Sequence, residues 1–503
     1  MVSSPPSSET DEEWKALLAW LATFPGHQDP EKHVKLVHNA AGRGLVARGD
    51  VPPNTTLISI PNAALLNVRT LRPLYPKPFH ALTATQFLSL HLALQFRRHL
   101  SPSAGSQARG KAPADRYWPF LATLPRRFPT VPLWWSVYSR TAATLRADLN
   151  AESADESLEE LEKAEKGARE ARGRRRFAEL LGAVPAGVRR RTEEIEDKFK
   201  ADWEAARKVW TSQHDMSGSW GLLEFLLGWL NVNTRCIWFS VDSSKDNNLT
   251  LCPVIDMINH VPGRATKPHP ELAALTFHAP TSSSGDPPLR DGDELAFSYG
   301  AHEDSMLCAE YGFVVGRDNE YNAVEIDRFV EALFDAQEGG EGEVKKGVLR
   351  DEGYWGDMTL QSGTDTPHAS WRVLVALRLL HLRLPSHASS SSASSAALLS
   401  ADALAPWYHV LTGAAERISP ANEKKVAATL KGVCEAVRRE AAEGGKRCDD
   451  IRLRWDKEQR SVKAAESAEE RDQDDEEARA SLEMLRTIWR EEERIAGAVA
   501  EAQ

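Results

Sequence analysis

Between Leu251 and Phe313 the chain gathers a set of side chains whose types and spacing could do chemistry. The run LCPVIDMINH carries an apolar stretch straight into Asp256, Asn259 and His260. A second alternating stretch, ELAFSYG, ends on Ser298, Tyr299 and Gly300 after the acidic turn Asp291-Gly292-Asp293. Two short strand-like segments that each finish in hydrogen-bonding side chains are a common way to build a site at strand ends. Asp256, His260, His269 and His278 are also metal-ligand types, but no helical spacing and no third close ligand joins them, so no metal is predicted. Taken one at a time, Asn259 reads better as a turn residue and Tyr299 as a strand aromatic with its hydroxyl at the surface.

Two further places bear on this set. The apolar run WGLLEFLLGWLNVNTR predicts a buried helix ending on Arg235, and a buried cation needs a partner, because left alone it is costly. That partner is either a protein carboxylate or the carboxylate of a ligand. Gly42-Arg43-Gly44 reads as a tight turn between β-type runs, or as a place where missing side chains let a ligand approach the backbone.

The elements that must position these residues follow from periodicity and punctuation. Residues 1–10 are Ser/Pro-rich and read as disordered; EEWKALLAWLATF then predicts an amphipathic helix behind an acidic first turn. LVHNA, GLVA and TLISIP predict a meander of short strands, and TATQFLSLHLALQFRRH a helix over 83–99. The aromatics Tyr117, Trp118, Phe120, Trp134 and Trp135 read as core packing, since no basic groove accompanies them. Residues 137–215 are rich in Glu, Lys, Arg and Ala with opposite charges at i,i+4, which predicts exposed helices inserted between two β-containing parts. Arg174 to Arg176 and Arg189 to Arg191 are helix faces or import signals. The tail predicts mainly helices, with the Ser/Ala run of 386–400 as a flexible loop.

The sequence has 503 residues and 42% hydrophobic content, enough for two or three cores. Its formal net charge of −11 argues against a general nucleic-acid or anionic-membrane binder and favours basic partners. The five cysteines are dispersed and form no CxxC pair, which predicts a reducing compartment without disulfides. With no signal peptide or membrane-length apolar run in view, the expectation is a soluble protein of the cytoplasm, the nucleus or both.

In this order, GRGLVARGDVPPNTTLISIP, YWPFLATLP, LNVNTR, PVIDMINH, DELAFSYG and AEYGF resemble the SET-domain protein methyltransferases, and within them the subgroup typified by the Rubisco large-subunit lysine methyltransferase. The likeness covers nearly the whole chain, including a tail similar to that subgroup's C-terminal substrate-binding domain. The resemblance implies an α+β chain: a mostly β SET fold with a pseudoknot and a helical insertion, followed by an all-α C-terminal domain. It divides the sequence into 11–136 and 216–322 as the two parts of the SET domain, 137–215 as the insertion and 323–503 as the substrate-binding domain. It also implies the cofactor S-adenosyl-L-methionine, held by Gly42, Arg43, Gly44, Arg235, Asn259, His260, Tyr299 and Phe313. Tyr299 would be the catalytic tyrosine, and Asp256, Ser298 and Tyr311 would meet the substrate. The chain departs from the subgroup where Ala301-His302-Glu303-Asp304 follows SYG and where Gln95 stands at a commonly acidic position.

Methyl transfer from a sulfonium to an amine is an in-line displacement that needs alignment more than strong acid or base. A lysine of ordinary pKa is neutral in roughly one molecule in two to three thousand at pH 7, so an apolar channel that lowers its pKa assists the reaction. The resemblance therefore implies a protein-lysine N-methyltransferase acting as a monomer on a non-histone protein, with ribosomal or translation proteins as expected partners. A protein-histidine methyltransferase and a SET-fold binding scaffold without catalysis are the alternatives, and a nucleic-acid binder ranks last.

Overall fold

In the computed structural model of the protein, residues 7–39, 42–100, 116–151, 155–164, 167–213, 220–383, 401–463 and 473–503 are described. The helices that bear on the site and its supports include α1 (Ser7–Leu21), α2 (Ala84–Leu100), α3 (Glu156–Ala164), α4 (Ala168–Ala183), α5 (Ala186–Thr211), α6 (Leu222–Arg235), α7 (Asp304–Tyr311), α8 (Pro420–Lys463) and α9 (Gln473–Glu501). Helix α1 begins earlier than the sequence predicts. Its early turns carry Asp11, Glu12 and Glu13, and acidic side chains near a helix start complement the positive end of its dipole.

The strands are short and belong to small separate sheets. An antiparallel hairpin joins β1 (Val34–Asn39) and β2 (Gly42–Ala47), with Val37 opposite Gly44 and His38 opposite Arg43. Gly42-Arg43-Gly44 is thus not the turn expected between runs: all three residues lie in β2, because the ladder extends to the pair Asn39 and Gly42. A second sheet has the order β3 (Thr56–Pro61), β8 (Ala274–His278), β7 (His269–Pro270). Strand β3 is buried along nearly its whole length, which explains its continuous apolar reading. Strand β4 (Ile237–Trp238) pairs with β5 (Leu249–Thr250). The two chemistry-bearing segments meet directly: β6 (Asn259–His260) lies parallel to β9 (Ala296–Phe297), with Asn259 opposite Ala296 and His260 opposite Phe297.

Helix α6 is held at its beginning by the insertion. The Leu222 N–H donates to Asp155 Oδ2 at 2.9 Å and the Leu223 N–H to Ser157 Oγ at 3.2 Å, satisfying donors that a helix start leaves orphaned. Along its length, Trp229 Nε1 on α6 and Gln86 Nε2 on α2 both donate to Asp202 of α5, each at 2.9 Å. Arg97 of α2, only 2% exposed, pairs with Glu156 and Glu160 of α3 and with Glu224 of α6. The insertion therefore fixes the helix whose last residue is Arg235. The aromatic run behaves as core: Tyr117, Phe120, Trp134 and Trp135 are buried, and Trp118 stacks on His99 with ring centroids 3.8 Å apart.

Helices α8 and α9 run antiparallel, with Gly444 against Trp489 and Arg479 bonded to Asp456. One stretch of this pair, with Trp455 and Trp489, joins the large apolar core that extends from α1 to Ile258 and beyond. The other, with Val426, Leu430, Ile495 and Val499, joins a second core with Val324, Phe334 and Leu377. Trp489 Nε1 donates to the Ala183 carbonyl and Trp455 Nε1 to Glu179, so both indoles reach α4. The basic clusters of the insertion also pair with distant segments: Arg175 with Glu458, Arg176 with Asp475, Arg190 with Glu325 and Arg191 with Glu303. The tail carries, besides its helices, a small antiparallel sheet of β10 (Ala323–Glu325), β11 (Thr359–Gln361) and β12 (His368–Ala369). The Ser/Ala run of 386–400 lies outside the described residues. Among the described residues no helix is long and apolar enough to cross a membrane.

Candidate active site

Tyr299 follows β9 and is fixed at two points. Its backbone N–H donates to His260 Nδ1 at 2.9 Å, and its hydroxyl donates to the Ile258 carbonyl at 2.8 Å. The parallel pairing of β6 with β9 makes both bonds possible, since it sets the residues flanking His260 beside those following Phe297. Four rings surround the phenol: Phe297 at 5.0 Å, His260 at 5.1 Å, Tyr311 at 5.4 Å and Phe313 at 6.3 Å between centroids. Tyr311 ends α7, and Phe313 follows the left-handed Gly312 (φ 76°) that caps it. Burial in this cluster pushes the Tyr299 phenol well above its usual pKa, and it pushes Tyr311 up to about 12, with Glu310 adding to the effect. Both hydroxyls are protonated at neutral pH.

His260 is neutral for the same reason: burial, helped by the neighbouring His302, brings it down to about 4. Because Nδ1 accepts from Tyr299, the ring proton sits on Nε2, a buried donor with no protein partner.

A charged group lies beside the rings. Arg235 donates to the Asp256 carbonyl at 2.9 Å and approaches its Oδ2 at 3.4 Å. The protein carboxylate anticipated for Arg235 is thus Asp256. Burial raises the Asp256 carboxyl, with Arg235 and Arg43 opposing the rise; burial and the like charge of Arg235 bring Arg43 down to about 10. Arg235 Nε and Asp256 Oδ1 are buried without a protein partner. Asp256 has no exposed side-chain surface. It is tied to Arg235 through both its carbonyl and its carboxylate. Ser298 also turns to a local task, its hydroxyl donating to the Gly300 carbonyl at 3.2 Å.

Asn259 closes the other side. Its Nδ2 donates to the Arg43 carbonyl at 3.1 Å and to Glu294 Oε1 at 2.6 Å, leaving its own oxygen as an acceptor. Strand β2 is drawn against this segment by the Leu295 N–H, which donates to the Leu45 carbonyl at 2.7 Å, and by a bridge between Val46 and Glu294. A methyl on Gly44 would stand 2.7 Å from Glu294 Oε1 and 3.0 Å from Asn259 Nδ2. Gly44 therefore lets the strand approach Asn259 and Glu294 without displacing either side chain.

The structure thus brings Arg43, Gly44, Arg235, Asn259, His260, Tyr299, Tyr311 and Phe313 into one neighbourhood, with Gly42 at the start of the same strand. Sequence reasoning passed over Glu294, and it passed over Asp304 with Asn319 and Asn322, which hold the loop after Phe313. Polar side chains next to a motif gave the only signal, and such residues are ordinary in turns.

No protein-family model matches the chain. Its structure aligns over 98% of its length with 92% of a Rubisco LSMT bound to AdoMet, at TM-score 0.51 and 14% identity. A Rubisco LSMT bound to sinefungin and monomethyllysine aligns over the same shares at TM-score 0.53. These likenesses define the fold as that of a SET domain with a helical C-terminal region. In sequence, the chain is 24% identical over 364 residues to the ribosomal lysine N-methyltransferase set11 of Schizosaccharomyces pombe, covering 72% of this chain and 74% of that protein. It is 28% identical to ribosomal lysine N-methyltransferase 2 of Saccharomyces cerevisiae over 40% of this chain and 46% of that one. The mouse SET domain-containing protein 4 is 26% identical over 52% of this chain and 55% of its own length. The chain thus has the fold of the Rubisco LSMT SET domain and is similar in sequence to ribosomal lysine N-methyltransferases.

Proposed function

We propose that the protein is an S-adenosyl-L-methionine-dependent protein-lysine N-methyltransferase whose substrate is a protein of the ribosomal or translation machinery. The observation that carries this reading is the convergence on Tyr299 of a cluster of aromatic rings and the charged group of Arg235 and Asp256. The residues present fit the cofactor. Arg235 Nε, Asp256 Oδ1 and His260 Nε2 are buried polar atoms without protein partners, suited to the carboxylate, ammonium and base of an amino-acid nucleoside. Arg235, Asn259, His260 and Phe313 would hold it, with Gly42, Arg43 and Gly44 forming a wall. When bound, it supplies the methyl group from its sulfonium.

The chain's own residues then orient the acceptor. Phe297, Tyr299, Tyr311 and Phe313 exclude water and lower the pKa of an amine placed among them. The Tyr299 hydroxyl is held to the Ile258 carbonyl, so its oxygen lone pairs remain to orient the neutral amine. Its raised pKa keeps it protonated at neutral pH, so it aligns the amine and does not act as general base. Residues 323–503 would contribute to docking the protein substrate.

Calorimetric titration with S-adenosylmethionine tests the cofactor site. Wild type should bind in the micromolar range, Asn259→Ala should abolish binding, and Tyr299→Phe should retain it. Radiolabelled methyl transfer to ribosomal proteins, followed by amino-acid analysis, should then show methyl-lysine. A well-folded wild type that binds no S-adenosylmethionine overturns the reading, and methyl-histidine in the product would replace lysine with histidine.

A further inference from the structure

The aromatic wall of the site is carried by a segment whose anchor lies outside the motifs. Helix α7 starts at Asp304, ends at Tyr311, turns at Gly312 and continues through Phe313 to Gly316. At the near end the Gly312 N–H donates to the Leu307 and Cys308 carbonyls at 3.0 and 3.1 Å. At the far end the chain folds back on the residue that began the helix: Val315 N–H donates to Asp304 Oδ1 at 3.0 Å and Gly316 N–H to Asp304 Oδ2 at 2.8 Å. Phe313 sits between these two pins.

The carboxylate is 2% exposed and takes two further bonds, from Asn319 Nδ2 at 3.0 Å and from Asn322 Nδ2 at 3.1 Å. Both asparagines are buried, and they return the favour to the backbone: Asn322 Oδ1 accepts the Asp304 N–H at 2.8 Å, and Asn319 Nδ2 also donates to the His302 carbonyl at 2.9 Å. Four donors converge on two oxygens. An ionised carboxylate accepts them all, whereas an asparagine in its place offers one acceptor oxygen and turns an NH2 group against N–H donors.

We infer that Asp304 is a positioning residue for the cofactor wall: by bonding Val315, Gly316, Asn319 and Asn322 it fixes the loop that holds Phe313 against His260 and Tyr299. This rests on the methyltransferase reading above. The carboxylate also ties that wall to the tail, because the Ser362 N–H donates to the Asn322 carbonyl at 2.7 Å and Ala323 begins β10.

The test is the dissociation constant of S-adenosylhomocysteine, measured by calorimetry on wild type, Asp304→Asn, Phe313→Ala and the double variant, each below its melting temperature. Asp304→Asn should weaken binding at least ten-fold. In the Phe313→Ala background it should add less than three-fold, because the loop then has no ring to present. A purely structural role would lower the melting temperature and leave the dissociation constant of folded protein unchanged, and that result overturns the inference. So does full additivity of the two substitutions. Should Asp304→Asn fail to fold, Asn319→Ala, which spares both backbone bonds to the carboxylate, decides in its place by the same cycle. A wild type that binds no S-adenosylhomocysteine overturns the methyltransferase reading itself, whereas a wild type that binds, with Asp304→Asn unchanged, overturns only the role of Asp304.

Discussion

Replacing Gly44 by alanine should weaken cofactor binding with little loss of stability. The added methyl would lie 2.7 Å from Glu294 Oε1 and 3.0 Å from Asn259 Nδ2, well inside the ~3.5 Å of an ordinary contact. Gly44 is in the regular ladder of β2, opposite Val37, so alanine meets no backbone obstacle there. Glu294 is exposed and free to swing away, while Asn259 stays tied to the Arg43 carbonyl. The substitution therefore breaks the bond between Asn259 and Glu294, a charge-assisted one that at a wet site contributes about 1–2 kcal/mol, and a loss of that size corresponds to roughly 5- to 30-fold in affinity. The entropy that alanine removes from the unfolded chain offsets about 0.4–1 kcal/mol of the stability change. Calorimetric titration with S-adenosylhomocysteine and a thermal melt measure the two effects separately. Gly44→Ala in a Glu294→Ala background should cost less affinity than in the wild type, since the bond to Glu294 is already gone and only the 3.0 Å approach to Asn259 Nδ2 remains. Binding unchanged within two-fold, or an equal loss in both backgrounds, would refute the reasoning.

Other substitutions probe the same frame. Tyr299→Phe should keep S-adenosylhomocysteine binding within about three-fold while lowering kcat on the order of 100-fold, as loss of one orienting hydrogen bond does. The rising limb of its pH–rate profile should persist, because the limb belongs to the substrate amine and the buried phenol is protonated throughout; a flattened limb would make Tyr299 a base. The His260 imidazole is neutral when folded and titrates near 4 instead of 6.5. Its contribution is therefore complete above about pH 6.5 and is lost as pH falls toward 4, by about 1–2 kcal/mol after allowing for its partial exposure. Urea midpoints at pH 7 and pH 5 should converge in His260→Gln more than in wild type. Arg97→Met should destabilise by about 3–5 kcal/mol because it leaves the Glu224 carboxylate buried without its cation, and adding Glu224→Gln should recover much of the loss in urea denaturation.

Much of the site was legible in order along the chain and little of it in space. The two apolar runs that end in Asn259-His260 and Ser298-Tyr299 signal strand ends by themselves, but their parallel pairing, which lets Tyr299 reach both His260 Nδ1 and the Ile258 carbonyl, depends on residues about forty positions apart. Arg235 announced that it needed a carboxylate without saying which. Asp256, twenty-one positions on, met that need.

Local chemistry determined the amphipathic helices, the acidic start of α1, the glycine cap after Tyr311 and the apolar run of β3, because propensity, capping and burial period act within a few residues. Only the tertiary structure decided that Gly42-Arg43-Gly44 extends a strand instead of turning, that the arginines of the insertion pair with distant carboxylates, and that Asp304 gathers four donors. Each of these is a contact between segments remote in the chain, and its energy is absent from any local window.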